Sequence, residues 1–594
     1  MESGWMRWGI VLAVCLILFF TNLGGPKLWD RDEPRNAGCA WEMMQAGDWV
    51  VPRFNDELRP HKPALTYWLM ISAYHLFGVN EFSARFSSAT LGVLTVLLTY
   101  GIGRRLFSGE VAFWGSLALA TSLMFTVASR AATPDAPLIF TVTLAMWVFT
   151  RFSFPSESER TSAANQGVPR SYYPTQWWQV ALLYATMGLA VLAKGPIGLI
   201  LPTAIIGMFL LIQRLPVREA TGNVWIERMM GICRPFAPLH FLKTVWFMRP
   251  ILAIVACLAV ALPWYLWVAS RDFRFVEGFF WEHNFNRATS AFEGHAGPPY
   301  YYLLAICVGF FPWSIFFAPL LGDLVTRLRS NRRDPERPAV VFLCCWVVVW
   351  LVAFSIAQTK LPSYVTPLYP ALALLTGVFA QRCLTYWAYV PSLWRYTPHG
   401  VTCVVGLGIL IAAPLAAQRY LPGEDWLGLI GLPLLVGGLA ALVLAAKKMP
   451  LASFGAHAAS GVVFSVALFA VGAQRVSDHN QIENLITQVR EVKAEPDWHS
   501  WAVLESTWVY YAGAPVRFIS SGNSQNFAVP TGENVILLTT SWHWDRMAPA
   551  KQNEWEEVAR SPYFLEQDDL IALQRKPQGT TIATLPESSE SGRK

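Results

Sequence analysis

The chain is 594 residues long, 54% hydrophobic and only 14% charged, with 27 tryptophans, a net charge of +6 and a mean hydropathy of +0.35. That composition excludes an ordinary soluble globule and fits a protein that crosses a membrane many times. The modest positive charge calls for no nucleic-acid partner, because loop topology accounts for where the positives sit.

Apolar runs long enough to cross a hydrocarbon core of about 30 Å as helices of about 20 residues recur as far as residue 473. They are predicted at 8–23, 85–104, 111–129, 133–150, 178–193, 195–213, 250–269, 300–321, 338–356, 362–381, 401–417, 427–445 and 455–473. The first follows Arg7 and reads "GIVLAVCLILFF"; no small-residue cleavage site comes before the next acidic cluster, so it is read as an uncleaved helix. Lys and Arg gather at Arg104 and Arg105, in 214–249, in "TRLRSNRRDPER" at 326–337, and at Lys447 and Lys448. All lie on one side of the predicted arrangement, which the positive-inside rule makes cytoplasmic. Residues 24–84, 270–299 and everything from 474 onward are then expected outside. Of nine cysteines only Cys39 falls in an outer segment, and no disulfide framework or zinc-finger spacing is present.

In the first outer segment "AGCAWEMMQAGDWVVP" and "KPALTYWLMISAYHLFG" read as short amphipathic helices lying at the interface, apolar face in lipid. The second, 270–299, mixes aromatics with charges. The third is expected to be a small α/β domain over 474–575, with "WAVLES", "VRFISS", "NVILLTT" and "DLIALQRK" as strands and "NQIENLITQVREV" as a helix. The polar end, 576–594, is expected to be disordered. The expected division is thus a membrane domain over 1–473, the outer domain, and a tail. No fixed-period repeat, Walker motif or dinucleotide fingerprint occurs, so an activated donor is expected from the membrane and not from a nucleotide.

The candidates for chemistry stand at the outer helix ends. "DRDEPR" sets Asp32 and Glu33 just after the first span; they suit a base or a substrate anchor, or equally a solvated loop pairing with Arg31 and Arg35. Lys62, between His61 and Pro63, suits a phosphate on a lipid carrier, or snorkels as interface lysines do. Asp135 in "ATPDAP" is a site acid or a helix cap. Lys194 in "LAKGPIG" and Gln358, Lys360 and Tyr364 in "AQTKLPSY" mark two more junctions where charge is costly without a partner. Glu282 and His283 in "FFWEHNFNR", with His61 and the first acids, are candidates for a metal site drawn from distant segments, although an outward His is usually just solvated.

Taken in order, "LWDRDEPRNAGCAWEMMQAGDWVVPRFN", "HKPALTYWL", "TPDAP", "AKGPIG", "FFWEHNFNRA", "GPPYYYLLAICVGFFPW" and "AQTKLPSYVTPLYP" resemble the landmarks of bacterial aminoarabinose transferases. These belong to the GT-C glycosyltransferases, which include protein O-mannosyltransferases. The resemblance spans roughly residues 8 to 385. It implies a helical multi-pass GT-C fold of thirteen spans with a periplasmic α/β domain, in the bacterial inner membrane. It implies transfer of a sugar, with inversion, from undecaprenyl phosphate to an envelope acceptor at the periplasmic face, lipid A phosphate in the best-known case.

Carried over position by position, the acidic pair falls on Asp32 and Glu33, with Asp32 the catalytic carboxylate. The second acid falls on Asp135 and the phosphate-binding lysine on Lys62. Lys194, Lys360, Tyr364 and Arg35 complete the phosphate set. The family binds a metal, zinc or magnesium, through a glutamate just before the phosphate lysine and a later histidine. His283 matches the histidine, but His61 stands where the glutamate would be, which changes the charge by one unit; an imidazole also ligates zinc. The family's "PDETR" reads "RDEPR" here. A protein or polysaccharide acceptor remains an alternative. A lipid or sugar transporter would place its charges at the midplane between inverted repeats, whereas these cluster at outer helix ends.

Overall fold

Each apolar run lies on a helix, because a segment surrounded by hydrocarbon must satisfy its backbone internally. The computed structural model describes residues 2–29, 31–155, 171–215, 233–286, 297–330, 334–520 and 532–576. The expected tail, from 577 onward, and residues 287–296 of the second outer segment lie outside the described residues.

Among the described residues eight helices are long and apolar enough to cross a membrane, so the chain is a multi-pass membrane protein. Two bent pairs, Gly109–Ala120 with Leu123–Arg130 (67°) and Tyr301–Gly309 with Trp313–Arg329 (116°), raise the number to ten if each is one span. The three other predicted runs form Glu2–Phe20, Trp177–Lys194 and Ile197–Gln213, of 19, 18 and 17 residues. At 1.5 Å per residue they reach about 26–29 Å, close to the hydrocarbon thickness. The two bends meet and satisfy each other's polar groups: the Leu123 N–H donates to the Phe311 carbonyl (3.0 Å) and the Trp313 indole to the Thr121 hydroxyl (2.8 Å).

Helices approach closely where residues are small, as packing in lipid requires. A Cβ on Gly377, in the helix Tyr369–Thr385, would lie 2.4 Å from the Val111 carbonyl of Gly109–Ala120.

In the first outer segment the helix Asp32–Gln45 begins at the acidic pair itself, and Leu65–Phe77 follows. The face of the first helix expected in lipid is instead buried in protein: Ala37, Gly38, Cys39, Ala40 and Met43 are covered, with Gly38 against the Phe54 ring. Between the helices lies an unforeseen hairpin, Arg53–Phe54 with Glu57–Leu58. Its turn residues Asn55 and Asp56 both have positive φ (59° and 61°), as a type I′ turn demands. Glu42 pins the turn by accepting from the Asn55 N–H (2.6 Å).

The chain divides into two units, Met1–Asp478 and His479–Lys594. The second holds a five-stranded sheet in the order Arg517–Ile519, Asp497–Trp501, Val535–Thr540, Asp569–Arg575, Trp555–Pro562; the first three are parallel and the last two antiparallel. The helix Ile482–Val492 buries Ile482, Leu485, Ile486 and Val489. The strand expected at "WAVLES" ends at Trp501, where Ala502 takes a left-handed φ of 67°, and the helix Ser506–Ala512 starts instead.

Candidate functional site

The acidic pair splits into two environments. Asp32 is exposed at the first turn of its helix, whereas Glu33 is buried. Glu33 receives two bonds from the equally buried Arg85, Nε to Oε1 (2.8 Å) and Nη2 to Oε2 (2.7 Å). It also accepts from the Ala132 N–H (2.8 Å). Arg85 spends its remaining donors on the carbonyls of Leu23, Pro26 and Lys27. A buried carboxylate is tolerated because it is paired and hydrogen-bonded on both oxygens. Glu33 is thus engaged in tying its helix, through Arg85, to the loop before it and, through Ala132, to the chain before Asp135.

One turn further on, Asn36 repeats the arrangement. Its Nδ2 donates to the Ala132 carbonyl (3.2 Å) and its Oδ1 accepts from the buried Arg59 (3.3 Å). The Ala132 peptide is thus held on both its N–H and its C=O by one helix face.

Asp135 opens the helix Asp135–Ser153 and forms an ion pair with Lys194, whose ammonium also lies 5.0 Å from the centre of the Tyr364 ring. Three segments far apart in sequence meet here. Lys62, His61, His283, Lys194 and Tyr364 line one cavity of about 330 Å³, whose other walls include Leu138, Ile197, Ile200, Leu201 and Phe354. Cations lining an otherwise largely apolar chamber suit a phosphate borne on a hydrocarbon chain. Arg35 is half-buried on the helix of Asp32, and its charge reaches His61.

Lys360 does not join them. Its ammonium donates to the carbonyls of Phe354 (2.9 Å), Ser355 (2.7 Å) and Ala357 (2.6 Å), which uses all three of its protons to close the end of the helix Arg337–Ile356. The assignment of Lys360 to the phosphate set is corrected on that ground.

His61 and His283 are brought together because the segment Gly278–Asn286 packs on Pro60, where a Cβ on Gly278 would come within 2.9 Å of the proline ring. Their rings lie tilted against each other, with centres 3.9 Å apart and planes inclined by 33°. Burial, and then the charges of Arg59, His283, Lys62 and Arg35, push the His61 pKa down to about 2, so the ring is neutral.

These residues do not fit a shared metal ion. Two imidazoles on one tetrahedral zinc, each nitrogen about 2.0–2.1 Å from the ion, hold their ring centres about 5 Å apart. Among the described residues no group of three His, Cys, Asp or Glu forms a ligand set.

Residues 61–160 match the family model described as dolichyl-phosphate-mannose-protein mannosyltransferase. A protein of Aquifex aeolicus is 31% identical over 62% of this chain and 63% of its own length, so the match spans just under two thirds of that relative. The undecaprenyl phosphate-alpha-4-amino-4-deoxy-L-arabinose arabinosyl transferase of Pectobacterium atrosepticum is 27% identical over 74% of this chain and 71% of its own. The crystal structure of ArnT from Cupriavidus metallidurans bound to undecaprenyl phosphate superposes with a TM-score of 0.72 at 22% identity, covering 96% of this chain and 98% of that one. The chain shares the multi-pass helical fold of that structure. The sequence alone assigned no role to Arg59, Asn36 and Arg85. Arg85 left a signal, as a charge at the first position of an apolar run; Asn36 left none.

Proposed function

We propose that the protein moves a sugar from a polyprenyl-phosphate carrier, undecaprenyl phosphate in a bacterium, to an acceptor in the cell envelope. The observation that carries the reading is that Lys62, Lys194, paired with Asp135, and Tyr364 line one largely apolar chamber. Lys62 and Lys194 hold the leaving phosphate and stabilise its charge as the anomeric bond breaks. Asp135 keeps Lys194 aimed. Asp32, exposed and hydrated, orients the acceptor, and takes its proton where the acceptor is a hydroxyl. Attack opposite the phosphate inverts the anomeric configuration.

A lipid A phosphate is the acceptor that the sequence resemblance implies, with a protein or polysaccharide as the second reading, the protein acceptor being the one named in the matching family model. The clustering of Lys and Arg in the loops of the opposite side supports a site on the periplasmic side of the inner membrane. The test is mass spectrometry of products after mixing the protein in lipid with labelled undecaprenyl-phosphate sugars and an envelope extract. A sugar-sized gain on one lipid, lost in Asp32→Asn with donor binding kept, is the expected result. Turnover of Asp32→Asn at the wild-type rate removes Asp32 from the mechanism.

A further inference from the structure

We infer that His61 and His283 hold the carrier phosphate directly, with no divalent metal ion between protein and phosphate. The inference rests on the proposed function and concerns how that site takes its anion. The two rings lie with centres 3.9 Å apart and planes inclined by 33°, closer than two imidazoles that share one tetrahedral ion, whose centres are about 5 Å apart. The charged groups that act on His61 are of one sign, Arg35, Arg59 and Lys62, while Lys194 in the same cavity is paired with Asp135. A divalent cation placed beside His61 meets repulsion from Arg35, Arg59 and Lys62, while a phosphate meets attraction.

The hydrogen-bond chemistry agrees. A neutral imidazole carries one N–H donor, and His61 Nδ1 is buried with no hydrogen-bond partner in the structure. An unbonded buried ring nitrogen beside an anion cavity is relieved when it carries the proton and a phosphate oxygen accepts. The contact of Gly278 with Pro60 keeps the two rings together without a metal to join them.

The test uses the full chain in lipid nanodiscs, with undecaprenyl phosphate as the probe. Metal content is measured by elemental mass spectrometry, and binding is titrated with EDTA, with added zinc, and with neither. The expected result is far less than one metal ion per chain and an affinity unchanged within about twofold by EDTA or zinc. His283→Ala should weaken binding by about tenfold or more, the loss of one charge-assisted bond, and His283→Gln by less. His61→Glu should make binding respond to zinc. About one metal ion per chain, stripped by EDTA together with the affinity, overturns the inference while leaving the proposed function standing. No binding under any condition overturns the proposed function, and this inference with it.

Discussion

Two lysines follow apolar runs in this chain, and their side chains do opposite things. Lys194 leans across to Asp135 and lines the cavity, whereas Lys360 turns back onto its own helix end. Sequence shows both as a cation at a costly place; which way the side chain turns depends on whether unpaired carbonyls or an acid lie within reach. Lys360→Met therefore removes three bonds to carbonyls and should cost about 1–3 kcal/mol in thermal unfolding, with the affinity for undecaprenyl phosphate unchanged within about twofold. Lys62→Met should do the reverse, weakening that affinity by about tenfold with little change in stability. His61 adds a pH dependence. Its pKa is about 2 in the fold against about 6.5 unfolded, so between those values the unfolded chain binds more protons and stability rises with pH. The contribution is complete above pH about 6.5 and lost on acidification, about 2 kcal/mol by pH 5. Thermal unfolding at pH 7 and pH 5 should show that loss in the wild type and a smaller one in His61→Gln.

Whole elements were more legible than side chains, because a membrane helix is specified by some twenty consecutive residues and a contact by two. The long runs all became helices, and the acids and lysines between them were placed at helix ends, where Asp32, Lys62, Asp135 and Lys194 indeed stand. The hairpin at 53–58 escaped because its strands are two residues each, too short to show alternation, and only Asn55-Asp56 marks its turn. The bends at Thr121 and Phe310–Pro312 escaped because hydropathy runs straight through them. The clamp on Ala132 was invisible for a different reason: it uses backbone atoms, which every residue has. Close helix approach is likewise a matter of particular small residues. Gly377→Ala forces a methyl group to within 2.4 Å of the Val111 carbonyl and should cost about 1–3 kcal/mol. Gly400→Ala meets nothing within 4 Å and, inside the helix Ser392–Tyr420, should stabilise by about 0.5–1 kcal/mol. Thermal unfolding of both variants in one detergent separates crowding from helix propensity.

At the scale of the molecule, the two units draw on different physics. The membrane unit spends apolar surface on lipid as well as on its core: Ile251, Val255, Leu266 and Trp267 are exposed on one helix, Pro250–Arg271. The second unit closes a core of its own in water, with Trp501, Val535, Leu537, Trp555, Ile571 and Leu573 covered on one side of its sheet. Its central strand Val535–Thr540 is buried along its whole length and paired on both edges, so no ladder bond has to be supplied from outside the unit. At a little over a hundred residues it is of a size at which single domains fold alone. Residues 479–594 expressed without the membrane unit should therefore be soluble and unfold in one cooperative transition in urea, with tryptophan emission and far-ultraviolet circular dichroism changing together. Ile571→Ala, which empties a fully buried site in that core, should lower its stability by about 2–5 kcal/mol. A broad transition, or probes that do not coincide, would mean that this sheet depends on the membrane unit for its fold. The closed core argues for independence.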